Sequence, residues 1–167
     1  MHKGVHLRPL ERRDAERMLE WMRDEDVTRY LTIGGSGVTL EKALGFIDSA
    51  RDETVNLHRA IVDENDIYLG TVSLKRIDRH LLEAEYAISL HAEAIGRGVA
   101  KIATGGILAC AFESLGLRRV YLNVMEDNQR AVKFYEKFGF RFTGTTSAVL
   151  AGQERCLRWY ERLNDEK

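Results

Sequence analysis

The sequence predicts one mixed α/β (α+β) domain spanning residues 1–167, and three observations lead there. Apolar segments of period two cluster in front of stretches with helical spacing, glycine-rich turns separate them, and 167 residues suffice for one continuous core but are short for two. Hydrophobic residues make up 44% and charged residues 31%, the profile of an ordinary folded domain rather than a disordered chain. The 25 basic and 26 acidic side chains nearly cancel, so no basic excess is available to neutralise nucleic-acid phosphates, and no nucleic-acid partner is expected. No apolar run approaches the length of about 18 residues that a membrane span requires. The N-terminus lacks the apolar core of a signal peptide, which leads to the expectation of a cytoplasmic protein without a membrane partner.

Val5 and Leu7 alternate with polar neighbours and stop at Pro9, the pattern of a first, outer strand. Ala15, Met18, Leu19 and Met22 then recur at i, i+3, i+4 and i+7, which predicts a helix with Asp14 as its N-cap. DEDVTRYL reads as a short helical turn. TIGGSGV, with Gly34, Gly35 and Gly37, reads as a mobile loop and a substrate-side lid, and Leu40, Ala43, Leu44 and Ile47 restore helical spacing behind it. Residues 56–77 predict two strands joined by a tight turn at Asp63 to Asp66. A third strand follows, with Tyr86, Ile88 and Leu90 on one face and Glu85, Ala87 and Ser89 on the other.

Val99, Ile102, Ala103, Ile107, Cys110, Ala111 and Leu115 form a long apolar stripe that ends at Gly116, a plausible helix C-cap. RRVYLNVM places Val120, Leu122 and Val124 on one face of a strand, and the next helix carries Ala131, Phe134, Tyr135 and Phe138 on one side before Gly139 closes it. FRFTGTTSAVL and QERCLRWYERL read as a closing antiparallel pair around Ala151 and Gly152. Cys110 and Cys156 fit no metal spacing and are expected as buried, inert thiols in a reducing compartment. His2, His6, His58 and His80 lack the spacing of a ligand set, so no metal site is expected.

The stretch AIGRGVAKIA sits between a predicted strand and the most clearly predicted helix. Lys101 stands where a dinucleotide fingerprint needs its third glycine, and no GxxxxGK followed by Ser or Thr is present, so both nucleotide templates fail. The general physics remains: amides at the start of a helix lack intrahelical acceptors and sit at the positive end of its dipole, so the turn can hold an anion. Gly96 and Gly98 would let backbone approach closely, with Arg97 and Lys101 adding charge from the rim. A plain strand-to-helix turn explains the glycines equally well.

About 20 residues later comes VYLNVMEDNQRAVKFYEKFGF, and the two segments in this order and spacing resemble the GCN5-related N-acetyltransferase (GNAT) family over nearly the whole chain. The family writes the first segment as Gln or Arg, x, x, Gly, x, Gly or Ala, where this chain has Ile95, Gly96, Arg97, Gly98, Val99 and Ala100, so Ile95 replaces the polar first residue. The resemblance implies a mostly antiparallel sheet of six to seven strands flanked by about four helices, with a V-shaped splay between the fourth and fifth strands. It implies acetyl-CoA as cofactor, held by Ile88, Leu90, Ile95, Gly96, Arg97, Gly98, Val99, Ala100, Lys101, Asn123, Asn128, Ala131 and Tyr135. A backbone amide near Leu90 would donate to the thioester oxygen.

Tyr135 is the implied general acid, since a phenol of pKa about 10 stays protonated at neutral pH and can donate to a leaving thiolate; packing against Phe134 and Phe138 is the other use for this ring. A lysine-like ammonium sits some three units above neutral pH, so freeing the amine costs about 4 kcal/mol without help. Asn123 cannot serve as base. Glu85 is the leading carboxylate, with His91 and Glu126 behind it, and a solvated strand position fits Glu85 as well. Within the family the chain resembles enzymes acting on ribosomal-protein N-termini, on spermidine and on nucleotide-linked amino sugars. The acceptor is expected to be a small primary amine of amino-sugar or polyamine type, with a peptide N-terminus or a non-catalytic coenzyme A sensor as alternatives. A homodimer is compatible with the sequence.

Overall fold

The computed structural model describes residues 4–29, 37–150 and 152–164. Its elements are β1 His6–Arg8, α1 Ala15–Arg23, α2 Glu25–Thr28, α3 Leu40–Ser49, β2 Leu57–Val62, β3 Tyr68–Asp78, β4 Glu83–Leu90, α4 Val99–Ala109, β5 Arg119–Met125, α5 Gln129–Phe138, β6 Arg141–Leu150 and β7 Gln153–Leu163. The strands form one seven-stranded sheet in the order β1-β2-β3-β4-β5-β7-β6. Every neighbouring pair is antiparallel except β4 with β5. The fold class and the strand count agree with the sequence reading.

Alternation along the inner strands builds two cores. On β2, Ile61 packs into the cluster shared with Val99, Ala103 and Ile107 of α4, whereas Ala60 and Val62 join Ala15, Met18 and Trp21 of α1 and Ala43 and Ile47 of α3. The sheet is therefore covered on one face by α1 and α3 and on the other by α4 and α5. Burying such a strand on both faces removes its whole apolar surface from water, at about 25 cal/mol per Å².

Several expectations need correction. The buried face of α1 is Ala15, Met18 and Trp21, with Leu19 and Met22 only half-buried, because the Trp21 indole N–H reaches inward to the Tyr68 hydroxyl at 2.8 Å. Asp14 does not cap α1 with its side chain. Its carboxylate, 3% exposed, instead accepts two bonds of 2.8 Å from the Arg8 guanidinium and one from the Glu11 amide, tying the first strand to the start of the helix. On α4, Ile102 is 38% exposed, and its place in the buried stripe is taken by Thr104 and Leu108. That helix continues through a wider π turn, Cys110–Ser114, where the Leu115 amide bonds the Cys110 carbonyl, and the chain leaves it at Gly116 with φ of +65°.

Cys110 is half-buried and Cys156 is exposed, because β7 lies in the outer ribbon with β6 and turns alternate residues to solvent. A hydrogen bond to Glu126 pushes the Cys156 thiol up and so keeps it from ionising. Residues 32–36, most of the expected lid, Tyr30 and Leu31 at the end of the expected helical turn before it, and Ala151 in the last turn lie outside the described residues. Among the described residues no helix is long and apolar enough to cross a membrane.

Removing one partner of a buried ion pair leaves the other charge uncompensated. Arg8→Met should therefore lower unfolding stability by about 3 kcal/mol in urea titrations at neutral pH. A loss no larger than that of Arg12→Met, whose partner Asp48 is 48% exposed, would show that the Asp14 contact is not what ties β1 in place.

Candidate active site

The parallel pairing of β4 with β5 is registered only at Glu83–Arg119, Ala84–Val120 and Glu85–Tyr121. Beyond it β4 runs on to Leu90 against β3, and β5 runs on to Met125 against β7. The two strands thus open a fork, the expected splay, and residues past the last rung face a gap instead of a neighbouring strand.

A groove of about 430 Å³ follows this gap on the α4 and α5 face. It brings together nearly all the expected cofactor contacts: Ile88 and Leu90 from β4, Ile95, Gly96, Gly98, Val99, Ala100 and Lys101 from the glycine turn, and Asn128, Ala131 and Tyr135 around α5. Gly96 and Gly98 have φ of +79° and +78°, the left-handed region that a side chain strains. A β-carbon on Gly96 would lie 3.1 Å from the Arg130 guanidinium, whereas one on Gly98 would meet nothing within 4 Å. Gly98 is therefore needed for its conformation, not for room within the chain.

No side chain caps α4, so its first amides are left without protein acceptors at the mouth of the groove. A backbone cradle with a lysine and an arginine at its rim, continued by apolar walls, suits an anionic diphosphate joined to a slender arm.

Arg97 is not in the groove; its guanidinium turns back to the Glu93 carbonyl at 2.8 Å. Arg130, two residues past Asn128 in the first turn of α5, takes the rim position, and Ala94 and Phe134 complete the walls. Asn128 caps α5 by accepting the Ala131 amide at 3.3 Å. Tyr135 is 8% exposed, with its ring edge-on to Tyr86, Phe134 and Phe140 at centroid distances of 5.7, 5.3 and 5.6 Å. Burial pushes its phenol up to about 12, partly offset by a hydrogen bond with Tyr86, whose own hydroxyl lies 2.8 Å from Thr104.

Asn123 and Glu85 do meet, but away from the groove. The Asn123 amide donates to Glu85 at 3.2 Å, and Arg76 pairs with the same carboxylate at 2.9 Å. His91 is buried against Glu20 of α1 and accepts the Glu93 amide, and Glu126 is exposed at the end of β5.

A second cavity, of about 280 Å³, lies on the opposite face beneath α1 and α3. Met18, Trp21, Met22 and Phe46 wall it, and Asn56, His58, Thr71, Ser73, Lys75 and Ser89 supply its polar groups. Ile88 lines both this cavity and the groove. The His58 ring sits edge-on to Phe46, and its Nδ1 lies 2.5 Å from the Ser73 hydroxyl. Burial, and then the charges of Lys75 and Arg59, hold this imidazole below its ordinary pKa. Residue types alone gave no reason to select His58; its cross-strand pairing with Ser73 supplies one.

Residues 5–141 match the sequence profile of the acetyltransferase (GNAT) domain. The chain belongs to the GNAT acetyltransferase family. The spermidine N(1)-acetyltransferase of Escherichia coli K12 is 29% identical over 171 residues, covering 98% of this chain and 91% of that protein. An uncharacterised N-acetyltransferase of Bacillus licheniformis is 28% identical over 142 residues, covering 83% and 79%. Among solved structures, the spermidine N-acetyltransferase of Vibrio cholerae in complex with CoA and spermine shares the fold at a TM-score of 0.87 and 22% identity, over 96% of each chain. A GNAT acetyltransferase of Bacillus anthracis does so at 0.86 and 20% identity, over 99% of this chain and 98% of that one. The protein is thus an acetyl-CoA-dependent acetyltransferase of the GNAT fold, as the motifs at Gly96–Gly98 and Asn128–Tyr135 led one to expect.

In this GNAT domain Tyr135 titrates above its unfolded value of about 10. An acid with a raised folded-state pKa contributes stability that is whole below the unfolded pKa and is lost as pH rises through the folded one. Unfolding free energy from urea titrations should therefore fall between pH 10 and about 12, and fall less steeply in Tyr135→Phe, with the remaining slope carried by buried Tyr68 and Tyr86. An unchanged slope in the variant would place the Tyr135 hydroxyl in water.

Proposed function

We propose that the protein acetylates a small primary amine, with coenzyme A lying in the groove along the β4–β5 fork and the acceptor entering from the cavity beneath α1 and α3. The observation that carries this reading is that the two spaces, on opposite faces of the sheet, share Ile88 beside the fork. The relatives named for spermidine acetylation support an amine as acceptor.

Acetyl-CoA, when bound, supplies a thioester whose acetyl group passes to the amine nitrogen as the carbon–sulfur bond breaks. The first amides of α4, with Lys101 and Arg130, would hold the diphosphate; Ile88, Leu90, Ala131 and Phe134 would flank the arm and keep water out. An amide near Leu90, on the unpaired stretch of β4, would donate to the carbonyl oxygen.

Tyr135 holds a proton at its hydroxyl throughout the physiological range, because burial opposes the phenolate, and it faces the groove from which sulfur departs. On the acceptor side we assign the proton of the incoming ammonium to His58, in the tautomer whose Nδ1–H donates to Ser73 and leaves Nε2 as acceptor. Its surroundings favour the neutral imidazole that a base must be: Lys75 and Arg59 are the nearby cations, and Arg59 is itself paired with Glu53 at 2.8 Å. Glu85 is less suited, since Arg76 and Asn123 already occupy its carboxylate.

Tyr135→Phe should lower kcat by about 100-fold while leaving coenzyme A affinity by calorimetry unchanged, because the ring stays and only the proton-donating hydroxyl is removed. His58→Asn should lower kcat/KM and erase an acid limb whose apparent pKa lies below 6.5 in the unmodified enzyme. Arg130→Ala should weaken coenzyme A binding about tenfold, a loss of about 1.4 kcal/mol, while Arg97→Ala changes it by less than about twofold. Full turnover in Tyr135→Phe, or equal losses for the two arginines, would refute the placement of the thioester.

A further inference from the structure

The acceptor cavity says something about the amine that fills it. Among its described lining residues there is no Asp or Glu, and its one permanently charged side chain is Lys75. Lys75 is half-buried and makes no ion pair among the described residues. The residue opposite it across the β3–β4 ladder is Glu85, whose carboxylate is ion-paired with Arg76 and accepts from the Asn123 amide, not from Lys75.

A polyamine would bring further positive charge to a site whose lysine makes no ion pair among the described residues, whereas an anion would give that lysine a partner. The strand geometry sets the spacing. Ile88, beside the fork, is paired with Val72, three residues from Lys75 along β3, a separation of about 10 Å at about 3.3 Å per residue, part of which the lysine side chain itself spans. The hydroxyls of Ser73 and Ser89 and the amide of Asn56 line the space between.

We propose that the acceptor is a short amine bearing an anion, a carboxylate or a phosphate, which Lys75 binds while the amino group lies toward Ile88 and the fork. This assignment rests on the acetyl-transfer reading and narrows its substrate class. Lys75 thereby acts as the residue that selects against polycations.

The test is a matched panel in a thiol-release assay with acetyl-CoA: phosphoethanolamine and β-alanine against ethanolamine, propylamine and spermidine. The first two separate phosphate from carboxylate as the recognised anion. At least one anionic amine should show kcat/KM about tenfold above its neutral counterpart, with the preference abolished in Lys75→Met and retained in Lys75→Arg. Calorimetry without coenzyme A supplies a readout independent of turnover: the anionic amine should bind the unmodified protein and not Lys75→Met. Spermidine turning over fastest, with Lys75→Met no better at it, would overturn the inference and leave acetyl transfer standing. Neutral and anionic amines bound alike, or neither bound, would overturn it as well. Thiol release from no amine, with anionic binding intact and lost in Lys75→Met, would instead remove the catalytic reading and keep the anion site.

Discussion

Strand β4 is committed to β3 along its whole length and β5 to β7 along its own, so the two ribbons share only the short parallel seam that ends at Glu85 and Tyr121. Strands twist, and antiparallel ribbons held at their outer edges turn away from each other once the seam stops. The consequence is a stretch of sheet interior with backbone groups that have lost their neighbour, a condition that folded proteins avoid unless something else fills the gap. Everything the site does depends on this opening. The groove, the approach of the α5 aromatics and the meeting of two cavities at Ile88 all lie along it.

The residues at the crotch of the fork explain why it opens where it does. On one face Asn123 reaches back to Glu85 while Arg76 holds the same carboxylate, so the last rung of backbone pairing is reinforced by side chains. On the other face Tyr86, the first residue past the seam, packs its ring against Tyr135 and Phe140 and sets its hydroxyl on Thr104. A wedge on one side and a clamp on the other define the point of separation. The same wedge buries the Tyr135 phenol, which couples the opening of the sheet to the protonation of the residue that faces it.

Local periodicity made most elements legible, because alternation on β4 and β5 and the stripe on α5 record burial directly. The glycine turn and the asparagine–tyrosine spacing were legible for a related reason: they act through backbone conformation and helix phase, which neighbouring residues determine. What escaped was set by contacts between distant segments. Glu85 has the chemistry of a base, yet its environment comes from Arg76 on β3 and Asn123 on β5. Arg97 has the charge for a rim residue, but its side chain turns onto Glu93, and the rim falls to Arg130, which comes from another helix. His58 acquires its setting from Ser73, Phe46 and Lys75, none of them nearby in the chain. Cys156 is exposed, against expectation, because an apolar residue type says little about an outer ribbon that turns alternate positions to solvent.

This division follows the two faces of the sheet. On the proposed reading the cofactor face works mainly through amides, glycine torsions and the gap itself, so its requirements survive wide changes of side chain. The proposed acceptor face works instead through side chains drawn from β2, β3, β4, α1 and α3. A single substitution there would change the charge that an amine meets and leave the proposed donor side across the sheet as it was. Shared fold consequently constrains the donor half of the reaction far more tightly than the acceptor half, and the identity of the acceptor has to be read from the cavity's own charges.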